Sequence, residues 1–432
     1  MQIAMLSKHG WSQHHFNKDG KRVANIGDSI REVVMVKILE QLNIKKQDIT
    51  VIAQNEIKTY CGDAVRLLFD DMINDDSVID ELFANEKIHP VFISCFFYDD
   101  IFAGHLDRVK NFKKYEPIGC RDEHSRNLCI KNGIDAYLTG CFTLCVDKKT
   151  DSLGSKTYIV DPTEELLQII PEEIKNKAKI ISHAVELEKY PIDAVESERL
   201  YKIANDYLEN YRNNAAYVIS GRLHATLPCF AMGIPATIIN RNFNYKFGWL
   251  DKWLKLNDFR SFETLSFDTT NDESKYEELE LTKQLIKNNI KYAITFGCND
   301  IDLLKKIDQI YEGRNKNEIN SFFKYMINQG MNQYNNTKIK YAIWGAGLNC
   351  GYVYQIMQEM YPEAQLVAIV DKFKEGQKYG VPIIKANEIT KYDIQHIFIS
   401  SNPAIPDAIS TCDLLFRDDK THYTTVVTDQ TC

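Results

Sequence analysis

The sequence predicts an α/β protein with several parallel sheets. Two observations lead to this fold class. Short apolar runs of strand length alternate with helical patterns along most of the 432 residues, and such alternation is typical of parallel βαβ units. The chain is also longer than one domain usually is, so two or three domains are expected.

Composition narrows the class of protein. The chain is 44% hydrophobic and 26% charged, as ordinary globular proteins are. No apolar run reaches the roughly 18 residues that span a bilayer, and the start MQIAMLSKHG lacks a signal-peptide core, so a cytoplasmic location is expected. Eleven cysteines without C-x-x-C pairs favour reduced thiols. The net charge of -8 argues against a general nucleic-acid binder.

The first Rossmann-like domain is predicted over residues 1–147. Its expected strands are Gln2–Leu6, Ile49–Ala53, Val91–Phe97, Glu116–Cys120 and Ala136–Thr139. Its expected helices are Ser29–Leu42, Ala64–Ile73, Asp107–Lys114 and Asp122–Asn132. The loop between the first strand and Asn25 holds His9, His14 and His15. Since adjacent side chains diverge, a solvated loop is favoured over a metal site.

Three further segments follow. The polar stretch Lys148–Ser155 predicts a linker to a second Rossmann-like domain at 156–265. Its expected elements are Thr157–Val160, Thr163–Ile170, Ala178–Ser182, Val195–Tyr211 and Ala215–Ile219. Residues 266–336 are strongly charged and helical, which indicates a connector or a return onto the first domain. Residues 337–432 restart the strand, turn and helix pattern as a third, small Rossmann-like module.

The stretch from Ser220 to Asn240 carries the first candidate site. A strand at Ala215–Ile219 precedes a turn and a helix, His224–Met232, ended by Gly233. Ligands of open parallel sheets bind beyond the carboxyl ends of the strands, where Arg222 and His224 would lie. The helix start and the Arg222 guanidinium favour an anion, and His224 can transfer protons near neutral pH. The alternative is a histidine that only caps or packs.

Arg121 is the second candidate cation. It follows the predicted strand that ends at Cys120, as Arg222 follows its own strand. It either pairs with a neighbouring carboxylate or binds a ligand. Two facing domains would point both guanidinium groups into one cleft, which favours the ligand.

Three ordered blocks carry a family resemblance. They are NIGD at 25–28, GCRDEHS at 119–125 with LTGCFTL at 138–144, and SGRLH at 220–224 with GIP at 233–235. They resemble N-x-G-D, G-x-R-D-x-x-[ST]…T-G-C-P-T-L and S-x-R-L-H…G-[IV]-P of the polysaccharide pyruvyltransferase family. Phe142 stands at the family's usual proline.

The resemblance implies a fold and a reaction. The first two domains would face one another in a GT-B-like arrangement. The enzyme would move the enolpyruvyl group of phosphoenolpyruvate onto a glycan or lipid-linked sugar, form a pyruvate ketal and release phosphate. No metal and no cofactor beyond this donor substrate are expected.

The resemblance also assigns roles to residues. His224, Arg222 and Arg121 would be catalytic, with His224 as the general acid. The predicted substrate-binding residues are Asn25, Gly27, Asp28, Leu223, Lys246 and Arg241. Lys246 corresponds approximately to a lysine that follows the R-L-H block in the family, and Arg241 is its rival.

A second ligand is possible at the C-terminal module. Gly345, Gly347 and Gly351 form a turn after a strand, and Asp371 ends the next strand. Their spacing is G-x-G-x-x-x-G, one residue longer than the dinucleotide fingerprint. The turn would bind a nucleotide or nucleotide sugar, or it is a structural or interaction unit.

Two other functions compete with pyruvyl transfer. A GT-B-type glycosyltransferase would use the same cleft and cations for a nucleotide sugar. A non-catalytic scaffold of polysaccharide assembly would carry degenerate sites, yet Arg121 and His224 are both present.

Overall fold

The computed structural model describes residues 1–7, 16–17, 19–70, 72–73, 76–97, 99–102, 105–190, 192–240, 245–258, 267, 273–312, 324, 326–334, 338–401, 404–416 and 422–426. The chain divides into two compact units, the described residues up to 312 and those from 324 onward. Both contain parallel sheets with helices, which confirms the α/β class.

The first half of the first unit contains one parallel sheet and several shorter strand pairs. Its strands are β1 (Gln2–Ser7), β2 (Val23–Asn25), β3 (Ile49–Ala53), β4 (Val65–Phe69), β5 (Met72–Ile73), β6 (Ile88–Phe92), β7 (Phe96–Phe97), β8 (Ile118–Cys120) and β9 (Ala136–Leu138). Its helices are α1 (Ile26–Gln41), α2 (Asp76–Ala84), α3 (Leu106–Lys113) and α4 (Glu123–Lys131). The sheet has the order β3-β1-β4-β6, and β8 pairs with β9 in parallel.

One predicted element of this half is wrong and another is divided. The expected helix Ala64–Ile73 is a strand, β4, which lies between β1 and β6. Val65, Leu67 and Phe69 on one face and Leu68 on the other are fully buried. A central parallel strand is apolar on both faces, so its apolar run imitates that of a buried helix. The expected strand Val91–Phe97 is divided between β6 and β7.

The second half repeats the pattern. Its strands are β10 (Lys156–Val160), β11 (Ala178–Ile181), β12 (Ala184–Glu186), β13 (Ala215–Ser220), β14 (Ala236–Asn240) and β15 (Leu256–Asp258). Its helices are α5 (Glu164–Ile169), α6 (Glu172–Lys175), α7 (Ala194–Asn214) and α8 (Leu223–Ala231), and a 3-10 helix covers Tyr245–Lys252. The sheet order β11-β10-β13-β14-β15 is parallel throughout.

Several contacts join the two halves. β2 and β12 form an antiparallel pair in which Asn25 lies opposite Ala184. Helices α9 (Glu273–Phe296) and α10 (Ile301–Glu312) contact both halves. Asp308 accepts the Leu138 N–H at 3.0 Å, and the buried Lys283 ammonium donates to the Ala231 carbonyl at the end of α8, at 2.7 Å. The predicted charged connector therefore packs on strand β9, while the GT-B-like arrangement stays a prediction.

The second unit has a six-stranded sheet. Its strands are β16 (Lys340–Trp344), β17 (Gln365–Val370), β18 (Gly376–Lys378), β19 (Val381–Ile384), β20 (His396–Ile399) and β21 (Tyr423–Thr425), and its helices include α11 (Leu348–Met360) and α12 (Ile405–Leu415). The order is β18-β19-β17-β16-β20-β21, and only β18 and β19 pair antiparallel. The four predicted domain boundaries stay a prediction.

Candidate active site

The turn between β13 and α8 positions the predicted Arg-x-His pair. The Ser220 hydroxyl donates to the Val160 carbonyl at 2.8 Å and accepts the Arg222 N–H at 3.0 Å. Arg222 is the N-cap of α8, so His224 lies in the first helical turn. The helix ends at Ala231 with Met232 as its C-cap, and Gly233 follows at C′ with a φ of +81°, which suits glycine. Local sequence signals therefore predicted this unit to within one residue at each end.

The Arg222 guanidinium contacts two other elements. Its Nε lies 2.5 Å from Asp161 Oδ2, just past β10. Its Nη1 donates to the side-chain oxygen of Asn25 at 3.2 Å. Asn25 is the N-cap of α1 and accepts the Gly27 N–H at 3.1 Å. One guanidinium thus connects the starts of α1 and α8 with the end of β10.

Asp161 is itself held by two donors. Its Oδ2 also accepts the His183 N–H at 2.9 Å, and its Oδ1 accepts the Ser182 hydroxyl at 2.5 Å. Its φ of +46° is in the left-handed region, which aspartate tolerates better than most residues. Asp161 therefore fixes the guanidinium plane and neutralises part of its charge.

A buried histidine lies behind this ion pair. His183 is fully buried, and its Nε2 lies 2.7 Å from the Tyr211 hydroxyl. Burial is the main cause of a lowered pKa at His183; Asp161 opposes the shift, Arg222 adds to it, and the net pKa is about 3. His183 is therefore neutral at physiological pH, which suits a structural role better than acid–base catalysis.

His224 lies between α1 and the loop after β9. Its Nε2 is 3.6 Å from the Cys141 sulfur. A Cβ on Gly27 would lie 3.0 Å from His224 Cβ and 3.2 Å from its Nδ1. Carbon atoms in contact are normally about 3.5–4.0 Å apart, so glycine allows this close approach without displacing His224. The structure thus brings Gly27, Asn25, Arg222 and His224 together.

The Thr139-Gly140-Cys141 turn is supported by buried aromatic rings. Gly140 has φ +67°, and an added Cβ would meet the Tyr311 hydroxyl and Trp249. Trp253 Nε1 donates to the same hydroxyl at 3.3 Å. Glycine is therefore required at this position, and its neighbour Cys141 is held beside His224.

Arg121 follows β8, on the same sheet edge as Cys141. Its N–H donates to the Cys95 carbonyl at 2.8 Å, and its guanidinium carbon lies 5.2 Å from the Phe96 ring centroid. The side chain is buried, and its Nε has no hydrogen-bond partner among the described residues. No contact within the described part of the chain joins Arg121 directly to Arg222 or His224.

The neighbouring Asp122 caps helix α4. Its Oδ1 accepts the N–H and the hydroxyl of Ser125 at 2.9 and 3.0 Å. Complete burial raises the pKa of Asp122, and the Ser125 hydrogen bonds and the Arg121 charge oppose the rise. The R-D pair of the second block thus supplies one helix cap and one buried cation.

The remaining predicted residues fall into two groups. Asp28 and Leu223 lie half-buried in the first turns of α1 and α8. Arg241, the side chain of Lys246, and His9, His14 and His15 lie outside the described residues. Their predicted roles stay predictions, as does the solvated loop.

The C-terminal glycine turn is fixed by the predicted acidic residue. Gly345 has φ +105°, and Asp371 Oδ2 accepts the Ala346 N–H at 2.8 Å. Burial raises the pKa of Asp371, but its backbone hydrogen bonds outweigh this and leave the pKa below its ordinary value. Gly347 is the N-cap of α11, and Gly351 lies in the helix. Asp371 thus stabilises the turn, and the nucleotide or nucleotide sugar stays a prediction.

Three contributors to the site were missed by the sequence reasoning. Asp161 contacts the predicted Arg222, Cys141 contacts the predicted His224, and the His183 N–H donates to Asp161. Cys141 is part of the T-G-C block, and this block was the only sequence feature that pointed to it as a site residue. Asp161 and His183 follow parallel strands, but they lie far from Arg222 along the chain. No local sequence pattern therefore indicated that they are near it.

The described residues lack two features of other classes of protein, a membrane-spanning helix and a metal-binding cluster. No helix among them is both long and apolar enough to cross a membrane. No set of three or more His, Cys, Asp or Glu side chains in the same residues is arranged to hold a metal ion. No curated protein matches the chain.

The family comparison covers the segment that holds most of the site. The matched residues, 105–242, include Arg121, Cys141, Asp161, Arg222 and His224. The match supports a pyruvyl transferase role and therefore a transferase. The resemblance is confirmed over this segment: residues 105–242 match the model of the polysaccharide pyruvyl transferase family.

Proposed function

We propose that this protein transfers the enolpyruvyl group of phosphoenolpyruvate onto a sugar of a glycan or glycan precursor, as a pyruvate ketal. One observation carries the proposal. Arg222 and His224, from the family-matched segment, meet the first turn of α1 at Asn25 and Gly27. A cation, an imidazole and two helix starts are thereby collected at one place.

This collection suits the donor substrate. Phosphoenolpyruvate carries a phosphate and a carboxylate close together, so it needs several cationic or N–H donors. The Arg222 guanidinium offers a planar set of donors, and helix N-termini attract anions. Asp161 neutralises part of the Arg222 charge, so a second cation is required, and the buried Arg121 is our candidate.

His224 is proposed as the general acid. It gives a proton to the methylene carbon of phosphoenolpyruvate, which becomes a methyl group and leaves the adjacent carbon electrophilic. A sugar hydroxyl adds there and returns its proton to His224. The bond to the phosphate oxygen then breaks, a second hydroxyl adds to the same carbon, and its proton leaves with phosphate. The products are the ketal and hydrogen phosphate.

The first experiment measures phosphate release from phosphoenolpyruvate with a panel of glycan acceptors. We expect acceptor-dependent release, and a loss of about 10²–10⁴-fold in kcat for His224→Ala. His89→Ala, at an exposed position of β6, is the control and should match the wild type.

A separate binding measurement tests the donor. Calorimetry should detect phosphoenolpyruvate binding that Arg222→Lys weakens about tenfold, because lysine lacks the planar set of donors. Saturable binding of a nucleotide sugar, with no phosphate release for any acceptor, would instead assign the protein to the glycosyltransferases.

A further inference from the structure

The strongest feature not used by the proposed reaction is a buried thiol behind His224. Cys141 Sγ lies 3.6 Å from His224 Nε2, and Cys141 is fully buried. The hydroxyl of Thr143, also fully buried, donates to the same sulfur at 3.1 Å. The sulfur therefore has two polar contacts in a site from which water is excluded.

The two nitrogens of the imidazole point to different surroundings. Nε2 faces the thiol. Nδ1 lies 3.2 Å from the point that a Gly27 Cβ would occupy, and Asn25 Oδ1 is also 3.2 Å from that point. Arg222 Nη1 bonds to this same Asn25 oxygen. Nδ1 thus lies on the side of the proposed anion site, and Nε2 faces the Cys141 thiol.

We propose that Cys141 acts through His224 as a proton store. The inference rests on the proposed function. When Nδ1 gives its proton to the methylene carbon, the thiol proton passes to Nε2. The pair then consists of a thiolate and a neutral imidazole. The first sugar hydroxyl returns one proton as it adds to the carbon, and the pair regains its starting state.

The pair can start in either of two forms. A thiol with a neutral imidazole protonated on Nδ1 and a thiolate with an imidazolium hold the same number of protons. Each form gives up the Nδ1 proton and takes back one. The second hydroxyl proton leaves with phosphate, so no other donor is needed.

The chemistry requires cysteine and not just any polar residue. A thiol ionises far more readily than a hydroxyl, so it can give a proton to the neighbouring imidazole and take it back. Hydrogen bonds to a charged group favour its charged form, and the Thr143 hydroxyl can supply one to the thiolate. A serine at position 141 would keep the hydrogen bond but would not ionise.

The test separates a proton store from a mere spacer. Cys141→Ser and Cys141→Ala should both lower kcat for phosphate release by about tenfold or more, with the Kd for phosphoenolpyruvate within about twofold of the wild type. Cys412→Ala, which removes a buried thiol of the second unit, is the matched control and should keep the wild-type kcat.

Three results would overturn the inference. If Cys141→Ser has the wild-type kcat, Cys141 acts only through hydrogen bonding and packing and stores no proton. A kcat of Cys141→Ala equal to the wild type would remove any role. Absence of phosphate release by the wild-type protein with every acceptor would overturn the proposed function and this inference together. If the Cys141 variants fail to fold, Thr143→Val should lower kcat where Thr143→Ser does not, and equal rates would refute the store.

Discussion

Replacing Gly27 by alanine tests whether the first turn of α1 positions His224. The added Cβ would lie 3.0 Å from His224 Cβ and 3.2 Å from Nδ1 and from Asn25 Oδ1. These contacts are tighter than ordinary Cβ contacts, so His224 must move by a few tenths of an ångström. A misplacement of this size in a reacting group should lower the rate by about 10-fold.

The stability of Gly27→Ala should change little. Alanine is favoured over glycine in a helix by up to about 1 kcal/mol, which offsets the strain of moving one half-buried ring. The net change in the free energy of unfolding is expected to be within about 1 kcal/mol, and Tm should move by only about 2 °C. An activity loss in a protein of unchanged stability would separate positioning from folding.

The assay is phosphate release from phosphoenolpyruvate, measured beside thermal unfolding. A double-mutant cycle is the control: in a His224→Ala background, Gly27→Ala should change kcat no further. If Gly27→Ala alone keeps kcat within about twofold of the wild type, Gly27 does not hold His224 and the reasoning is refuted. Additive losses in the cycle would show that Gly27 acts on another group.

Three further predictions concern stability. Asp161→Ala should lower the free energy of unfolding by about 2–3 kcal/mol, because the Arg222 guanidinium and the His183 N–H lose an acceptor. In urea denaturation, Asp161→Asn should recover part of this loss. An unchanged midpoint for Asp161→Ala would contradict the stabilising role of Asp161. Gly140→Ala should lower Tm by several degrees, because φ is +67° and the added Cβ would meet the Tyr311 hydroxyl. In the Gly140→Ala protein, Tyr311→Phe removes that hydroxyl and should restore part of the lost Tm. Stability should also fall as the pH drops below about 6.5, because the unfolded chain protonates a histidine that the folded chain keeps neutral down to a pKa of about 3. Each such histidine costs up to about 1.4 kcal/mol per pH unit in that window. Burial also lowers the pKa of His396 to about 3, so His183→Gln should remove only the His183 part of the slope, and an unchanged slope would contradict the prediction.

Local signals predicted helix α8 well. The apolar run of β13, the helical pattern after Arg222 and the stop at Gly233 are contained in about twenty residues, and each depends on neighbours along the chain. The same locality explains the N-caps of α1 and α4 at Asn25 and Asp122. Capping depends on side chains that reach only two or three residues ahead.

Contacts between distant segments were not predictable in this way. Arg222 and Asp161 are brought together because β10 and β13 are parallel neighbours, and the sequence pattern does not state which strands adjoin. No sequence pattern predicts the antiparallel pair of β2 and β12 either, although this pair places Asn25 opposite Ala184. Strand β4 was taken for a helix because burial on both faces removes the alternation that identifies a strand.

The surroundings of Arg222 indicate how an anion would enter the site. Its Nε is held by Asp161, a charged partner fixed in turn by His183 and Ser182. Its Nη1 is held at 3.2 Å by the neutral amide oxygen of Asn25. Charge-assisted hydrogen bonds are roughly twice as strong as neutral ones, so a phosphate or carboxylate oxygen would displace the amide before the aspartate. The guanidinium is therefore oriented before the ligand arrives, with its exchangeable side at the start of α1. Since Asn25 lies outside residues 105–242, the family-matched segment alone does not complete the proposed donor site.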